Sequence, residues 1–379
     1  MTTSHSENGP ATGTAPAPID RGKTAPPGGE RPPERNPQAA GRLAWVDMLK
    51  GFAIFCVVMG HFLAWTFAPD ADRGQYPVFV KEILYTFHLP LFFFLSGFVS
   101  ELGRKTWNLE TWRQFIVRRF QGLLVPGLAF LVLSFLFTGC WSFSWFLAAL
   151  FEMAAVFSVT RLLLSKLGAN WLVEMAAHGL VWAGLAANVT LGGTAAWQQF
   201  ISLKLMVVFH PFFLCGCFAC RWDLPRRVSE RGWIYTVALL IYAAFLYERF
   251  ACGRLPVSVT KYPVGLCAVV VFLRLAMDGN PQSRLGRLLG LLGRNSLGIF
   301  LLSPCFIPWF PGLGDLFIRS DAFVPYGLEG FRHVSSVFLQ LVTGGLVSAY
   351  VCAACLVARK IVSRSALLDF LLFGTRKRR

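Results

Sequence analysis

Charged residues are scarce in this chain of 379 residues: they make up 15% of it, against about 25% in a soluble globular domain. Acidic residues are the scarcer group, with 20 Asp and Glu against 36 Lys and Arg. Hydrophobic residues reach 55%, and the mean hydropathy is +0.54. A single water-facing core cannot bury this much apolar surface. The composition therefore excludes a soluble enzyme and a disordered chain, and it predicts an all-α polytopic membrane protein.

The cysteines indicate neither a disulfide-rich protein nor a metal-binding protein. Most of the ten cysteines lie inside apolar runs, where thiols behave as small hydrophobic residues rather than as a disulfide framework. Cys215, Cys217 and Cys220 lack a second ligand pair at metal-site spacing, so we predict no metal site.

The first 40 residues hold eight of the 21 prolines and no apolar run of the signal-peptide type. We expect residues 1–41 to form a disordered cytoplasmic tail.

Ten apolar segments follow this tail, and most of them approach the ~20 residues that a helix needs to cross a membrane. They lie at 44–66, 80–99, 121–138, 144–164, 171–188, 199–219, 232–249, 263–278, 295–311 and 335–358. An even number of spans places both termini on the same side of the membrane. We expect a transmembrane domain at 42–360 and a basic cytoplasmic tail at 361–379.

Lysine and arginine are unevenly distributed between the two sides of the membrane. The segments on the side of the termini carry 22 basic residues and those on the opposite side carry eight. The basic segments are 100–120, 161–170, 221–231, 274–294 and the tail from Arg359. The positive-inside rule predicts that they and both termini are cytoplasmic, in a multi-pass protein of the inner (plasma) membrane. Because topology explains the net charge of +16, nucleic acid is not an expected partner.

The first predicted helix carries ionisable residues, which are costly inside a membrane and are often functional. Lys50 and His61 are eleven residues apart, which places them on the same face, about 16 Å apart along the axis. Asp47 lies one turn before Lys50 on that face. Histidine can accept a proton near neutral pH, so we predict catalytic roles for Lys50 and His61 and a binding role for Asp47. The alternative is that Asp47 and Lys50 reach the interface and His61 only packs.

The second predicted helix contains the run FHLPLFFFLSGF at 87–98. It runs antiparallel to the first, so its His88 enters at a depth comparable to that of the first histidine. Ser96 offers a small hydroxyl, and Glu101 near the helix end can either pair with Arg104 or orient Arg118. We predict a catalytic role for His88 and binding roles for Ser96 and Glu101. The alternative is a structural histidine in an aromatic packing face.

These motifs resemble the integral-membrane acyltransferase family 3, and the closer likeness is to its fucose 4-O-acetylase type. The resemblance covers about residues 42–360 and includes the segment that begins at Trp145 and the run GRNSLGIFLL at 293–302. It implies a ten-helix protein that moves an acyl group, usually acetyl from cytoplasmic acetyl-CoA, onto a carbohydrate hydroxyl. Acetyl-CoA is then a substrate and not a bound cofactor. The family's essential basic residue and histidine correspond to Lys50 and His61.

The resemblance also implies a donor site on the cytoplasmic side. The family's arginine motif corresponds to Arg118, and the adjacent Arg119 can compensate for Gln121, which stands where the motif has its second arginine. We therefore predict that Arg118 and Arg119 bind the donor, and Asn295 in the late segment joins the predicted binding residues. Ser303 stands where the family often has another histidine.

Two classes of function remain open at this point. One is an O-acyltransferase, and the other is a multi-pass transporter of a lipid-linked sugar or a related envelope precursor, which can use the same buried polar residues as a pathway. The order of the family motifs along the chain favours the enzyme.

Overall fold

The computed structural model describes residues 43–67, 79–102, 107–139, 144–168, 170–191, 203–248, 257–308, 310, 312–314, 316 and 334–375. Within these ranges all the long elements are helices, and a π-helical turn at Phe120–Leu124 joins α3 to α4. The helices are α1 Ala44–Phe67, α2 Phe79–Glu101, α3 Leu109–Arg119, α4 Val125–Thr138, α5 Trp145–Lys166, α6 Trp171–Leu191, α7 Leu203–Arg221, α8 Leu224–Glu230, α9 Gly232–Tyr247, α10 Val257–Asp278, α11 Arg284–Arg294, α12 Ser296–Phe306, α13 Val334–Val362 and α14 Ala366–Phe373. The predicted tail at 1–41 lies outside the described residues.

The described helices confirm an all-α polytopic membrane fold. Eight spans are long and apolar enough to cross a membrane, and one of them runs from α3 through the π-helical turn into α4. The pair α11 and α12, bent by 83°, is a ninth candidate, and α9 is a shorter apolar helix of 16 residues. Each of the ten predicted segments overlaps one of these helices. With 11 residues, α12 rises about 16 Å, roughly half of a hydrocarbon core of about 30 Å.

Glycines allow the central helices to pack closely. Helix α2 contacts α1, α7 and α10. At its crossing with α7, a Cβ atom added to Gly97 or to Gly216 would lie 1.9 Å from a carbonyl oxygen of the other helix. The crossing of α1 and α11 is as tight at Gly51 and Gly293, where the corresponding distances are 1.9 and 1.8 Å. Small residues let helix backbones approach in membranes, so these glycines set the positions of α1 and α2.

A buried ionic network fixes one end of the bundle, here called the basic end, where α2, α5 and α7 end and α6 begins. Arg161 of α5 contacts Glu101 of α2 at 3.2 Å and Glu174 of α6 at 2.5 Å. Arg221 of α7 contacts the second carboxylate oxygen of Glu174, also at 2.5 Å. Both carboxylates are buried, and each is compensated by an arginine. The network therefore ties the ends of four helices together.

A short helix lies in the segment that the sequence predicts as a basic tail. Ser365 caps α14 by accepting a hydrogen bond from the Leu368 amide at 3.4 Å, and Phe373 is buried. The helix ends at Gly374, whose φ of +63° lies in the left-handed region. Gly374 packs against the backbone of Gln121, so the end of α14 lies against the π-helical turn.

Candidate active site

A cavity of about 460 Å³ lies between α1, α2, α5, the π-helical turn and the first turns of α12. Five of the residues predicted from the sequence line it: Lys50, His61, His88, Ser96 and Arg119. Lys50 and His61 share one wall, as their spacing on α1 predicts. The structure therefore brings the predicted histidines and two predicted cations into one space.

Cations occupy the end of the cavity that lies toward the basic end of the bundle, and this part is called the basic end of the cavity. Lys50 and Arg119 line it there, together with the hydroxyl-bearing residues Ser96 and Ser296. No Asp or Glu is among the described residues that line the cavity. This end is therefore suited to an anionic group, since two cations that line the same space attract negative charge.

Histidines and aromatic side chains occupy the opposite end. His61 and His88 line the cavity there with Tyr85 and Trp145. Between the two ends the lining is apolar, including Ile54, Val57, Leu89, Phe92, Phe146, Leu150 and Phe300. A ligand that fills the cavity would thus meet charge at one end and proton-transfer groups at the other.

The tautomer of His88 is set by its own helix. The Nδ1 atom of this buried ring lies 2.6 Å from the backbone carbonyl oxygen of Leu84. A carbonyl can only accept a hydrogen bond, so Nδ1 carries the hydrogen and the neutral ring leaves Nε2 as an acceptor. The edge-on ring of Tyr85, 4.8 Å away between centroids, packs against the imidazole. His88 is therefore held as a hydrogen-bond acceptor.

His61 is held less firmly. Its ring lies parallel to that of Trp65, with the centroids 6.1 Å apart. Its Nδ1 atom is buried, and no partner for it is found in the part of the chain that the structure describes. Either tautomer of His61 is thus open to a ligand in the cavity.

Arg119 and Arg118 point in different directions, although they are neighbours in the sequence. The Nη2 atom of Arg119 donates a hydrogen bond to Ser100 Oγ at 2.5 Å, and its guanidinium lies over the Phe115 ring at 5.3 Å from the centroid. Arg118 lies on the exposed side of α3. Of the two arginines predicted to bind the donor, Arg119 is the one that lines the cavity.

Four predicted site residues lie outside the lining of the cavity. Asp47 is buried where α1 meets α11, and Glu101 belongs to the buried ionic network. Arg118 is exposed, and the side-chain oxygen of Asn295 accepts a hydrogen bond from Arg359 Nη1 at 2.6 Å. The binding roles of these four residues stay predictions.

Three lining residues with hydrogen-bonding side chains were not predicted from the sequence, although each had a signal. Tyr85 lies three residues before His88, which puts both on one helix face. Ser296 follows Asn295 directly, at the start of α12. Trp145 opens a segment that carries the family resemblance, but no role was assigned to it.

A second pair of buried histidines lies outside the cavity. His178 of α6 stacks on Phe157 at 5.2 Å, and His210 of α7 lies parallel to Phe213 at 6.1 Å. The helix α7 continues through the proline that follows His210. Across the described residues, no group of three or more His, Cys, Asp or Glu side chains is placed to hold a metal ion.

In a comparison with known families, the chain matches the family described as an acyltransferase domain over residues 43–358. No curated protein and no solved structure matches the chain. The family match does not support the transporter that the sequence left open. The narrower likeness to the fucose 4-O-acetylase type stays a prediction.

Proposed function

The chain belongs to the acyltransferase domain family and is a multi-pass membrane acyltransferase, and from this premise we propose that it acetylates a carbohydrate. The acetyl group comes from acetyl-CoA, and the acceptor is a hydroxyl of a cell-envelope or exported carbohydrate at the plasma membrane. One observation carries the proposal: two cations and two histidines lie at opposite ends of one cavity.

The basic end of the cavity suits the donor. Coenzyme A carries phosphates, and Lys50 and Arg119 supply the charge to bind them. Arginine and lysine form short charge-assisted hydrogen bonds with phosphate oxygens. The pantetheine arm then follows the apolar lining toward the histidines, over the separation of about 16 Å between Lys50 and His61 along α1.

The chemistry follows from the donor's position. His61 takes the proton of the acceptor hydroxyl as its oxygen attacks the thioester carbonyl carbon. A C–O bond forms, the C–S bond breaks, and coenzyme A leaves as a thiolate, which takes a proton from water or from the imidazolium. Thiols have pKa values of about 8.5, so this leaving group needs little acid assistance. A positioned general base typically contributes about 10²–10⁴-fold to the rate.

The opposite end of the cavity suits a sugar. Nε2 of His88 can accept a hydrogen bond from a neighbouring hydroxyl of the same ring and so orient the acceptor. Tyr85 and Trp145 line the same end and are 43% and 37% exposed, so they present flat apolar surfaces. The C–H groups on one side of a pyranose ring form an apolar face that packs against such surfaces.

Transfer of label tests the proposal directly. Purified protein in lipid nanodiscs is incubated with acetyl-labelled acetyl-CoA and with glycans from a strain that lacks the gene. We expect labelled acetyl esters on carbohydrate with the wild type, and about 10²–10⁴-fold slower labelling with His61→Ala. Mass analysis of the envelope glycans of the same strain would identify the acceptor. Passage of a sugar precursor across vesicles without any acetylation would overturn the proposal in favour of a transporter.

A further inference from the structure

Ser100 connects two residues that line the cavity, although it does not line the cavity itself. It is 1% exposed, one turn after Ser96 on α2. Its Oγ lies 2.6 Å from the carbonyl oxygen of Ser96 and 2.5 Å from Nη2 of Arg119. The hydroxyl thus joins the end of α2 to the end of α3.

The direction of these hydrogen bonds is fixed by chemistry. The Ser96 carbonyl can only accept, so the Ser100 hydroxyl donates its single proton there. Its oxygen lone pairs are then left for Arg119, whose guanidinium can only donate. The backbone of α2 therefore orients Ser100 as an acceptor for the arginine.

Fixing the Arg119 side chain before a ligand arrives favours binding of that ligand. Arg119 is the last residue of α3, directly before the π-helical turn, and an arginine side chain has many rotamers. A side chain that is fixed before the ligand arrives loses less conformational entropy when it binds. The Phe115 ring supports one side of the guanidinium, and Ser100 fixes its Nη2 atom.

We propose that Ser100 is a positioning residue that holds the Arg119 guanidinium at the basic end of the cavity, where it meets the phosphates of acetyl-CoA. The inference rests on the proposed function, because it assigns the phosphates of acetyl-CoA to that end. Ser100 touches neither substrate and acts through Arg119.

This role can be tested by measuring coenzyme A binding and turnover separately. In nanodiscs, Ser100→Ala should raise the KM for acetyl-CoA and the Kd for coenzyme A about five- to tenfold, with kcat unchanged. Ser100→Cys keeps the shape of the side chain but replaces the hydroxyl with a weak acceptor, so it should show the same loss without leaving a cavity. Ser100→Thr keeps the hydroxyl and should restore affinity close to that of the wild type.

Ser158→Ala is the matched control. Ser158 is fully buried in α5 and donates to the Ala155 carbonyl at 3.0 Å, a helix back-bond of the same kind. This control should leave both KM and kcat unchanged. If the wild type binds coenzyme A while Ser100→Ala and Ser100→Cys both leave KM and Kd unchanged, that result would overturn the role of Ser100 but not the assignment of the donor site. A wild type that binds no coenzyme A would overturn the donor assignment and the inference with it.

Discussion

At the scale of single residues, the proposed chemistry depends most on His61. We expect His61→Ala to lower turnover by about 10²–10⁴-fold, because the general base is lost. The side chain is only partly buried and faces a cavity, so its loss should leave the melting temperature in detergent nearly unchanged. Turnover per folded molecule, measured beside a melting curve, checks both expectations. Wild-type activity should also fall as the pH is lowered, since a protonated imidazole cannot accept a proton.

The neighbouring histidine provides the comparison. His88→Ala should also be severe, but it should leave residual turnover because His88 orients the sugar and does not take the proton. A His61→Ala protein that melts earlier, yet turns over at nearly the wild-type rate once folded, would show that the role of His61 is structural.

The adjacent arginines offer a second residue-scale prediction. Arg119→Ala should raise the apparent KM for acetyl-CoA at least tenfold, because a charge-assisted hydrogen bond is worth about 1.5–3 kcal/mol. Arg118→Ala removes the same charge from the exposed side of α3 and should have a clearly smaller effect. Initial rates at varied acetyl-CoA concentration measure both variants. Equal effects would contradict the assignment of the donor phosphates to the cavity.

At the scale of the helices, the close crossings make a prediction about stability. Gly97→Ala should lower the melting temperature, because the new Cβ would lie 1.9 Å from the Phe213 carbonyl oxygen and the helices must separate. Overpacking of this kind typically costs about 1–3 kcal/mol. Gly179→Ala on α6 is the control, since no atom lies within 4 Å of its added Cβ. Thermal melts in one detergent compare the two, and equal melting temperatures would contradict the tight crossing.

The sequence predicts the helices well because apolar length is a local property. The same holds for the shared face of Lys50 and His61, which follows from helical periodicity alone. The bend between α11 and α12 is different. In the run RLGRLLGLLGR, Gly293 packs against α1, and this depends on a partner that is distant in the sequence. The direction of the bend between α11 and α12 therefore could not be predicted from this segment alone.

In the candidate site, too, some features could be predicted from the sequence and others could not. Ser96 and Ser100 are four residues apart, so their common face could be predicted. That this face meets Arg119 and not Arg118 depends on the rotation of α3 against α2. The tautomer of His88 depends on its rotamer, which brings Nδ1 to the Leu84 carbonyl. Such details come from packing between side chains and backbone, which one sequence does not reveal.

At the scale of the whole molecule, the proposed reaction requires that the basic end face the compartment that holds acetyl-CoA. Arg119, Arg161 and Arg221 gather at that end, and the sequence places 22 basic residues on the same predicted side. We therefore predict that both termini and the segments 100–120, 221–231 and 274–294 are cytoplasmic.

Reporter fusions on both sides of α9 check this orientation. Fusions within 221–231 should report the cytoplasm, and fusions between α9 and α10 should report the opposite side. The second set is the control, because a protein that fails to insert would give the same signal for both. If 221–231 proved external, Lys50 and Arg119 would face away from cytoplasmic acetyl-CoA, and the histidines would lie nearer to the donor than to the exported carbohydrate. The proposed path of the pantetheine arm, from the cations to the histidines, would then run in the wrong direction.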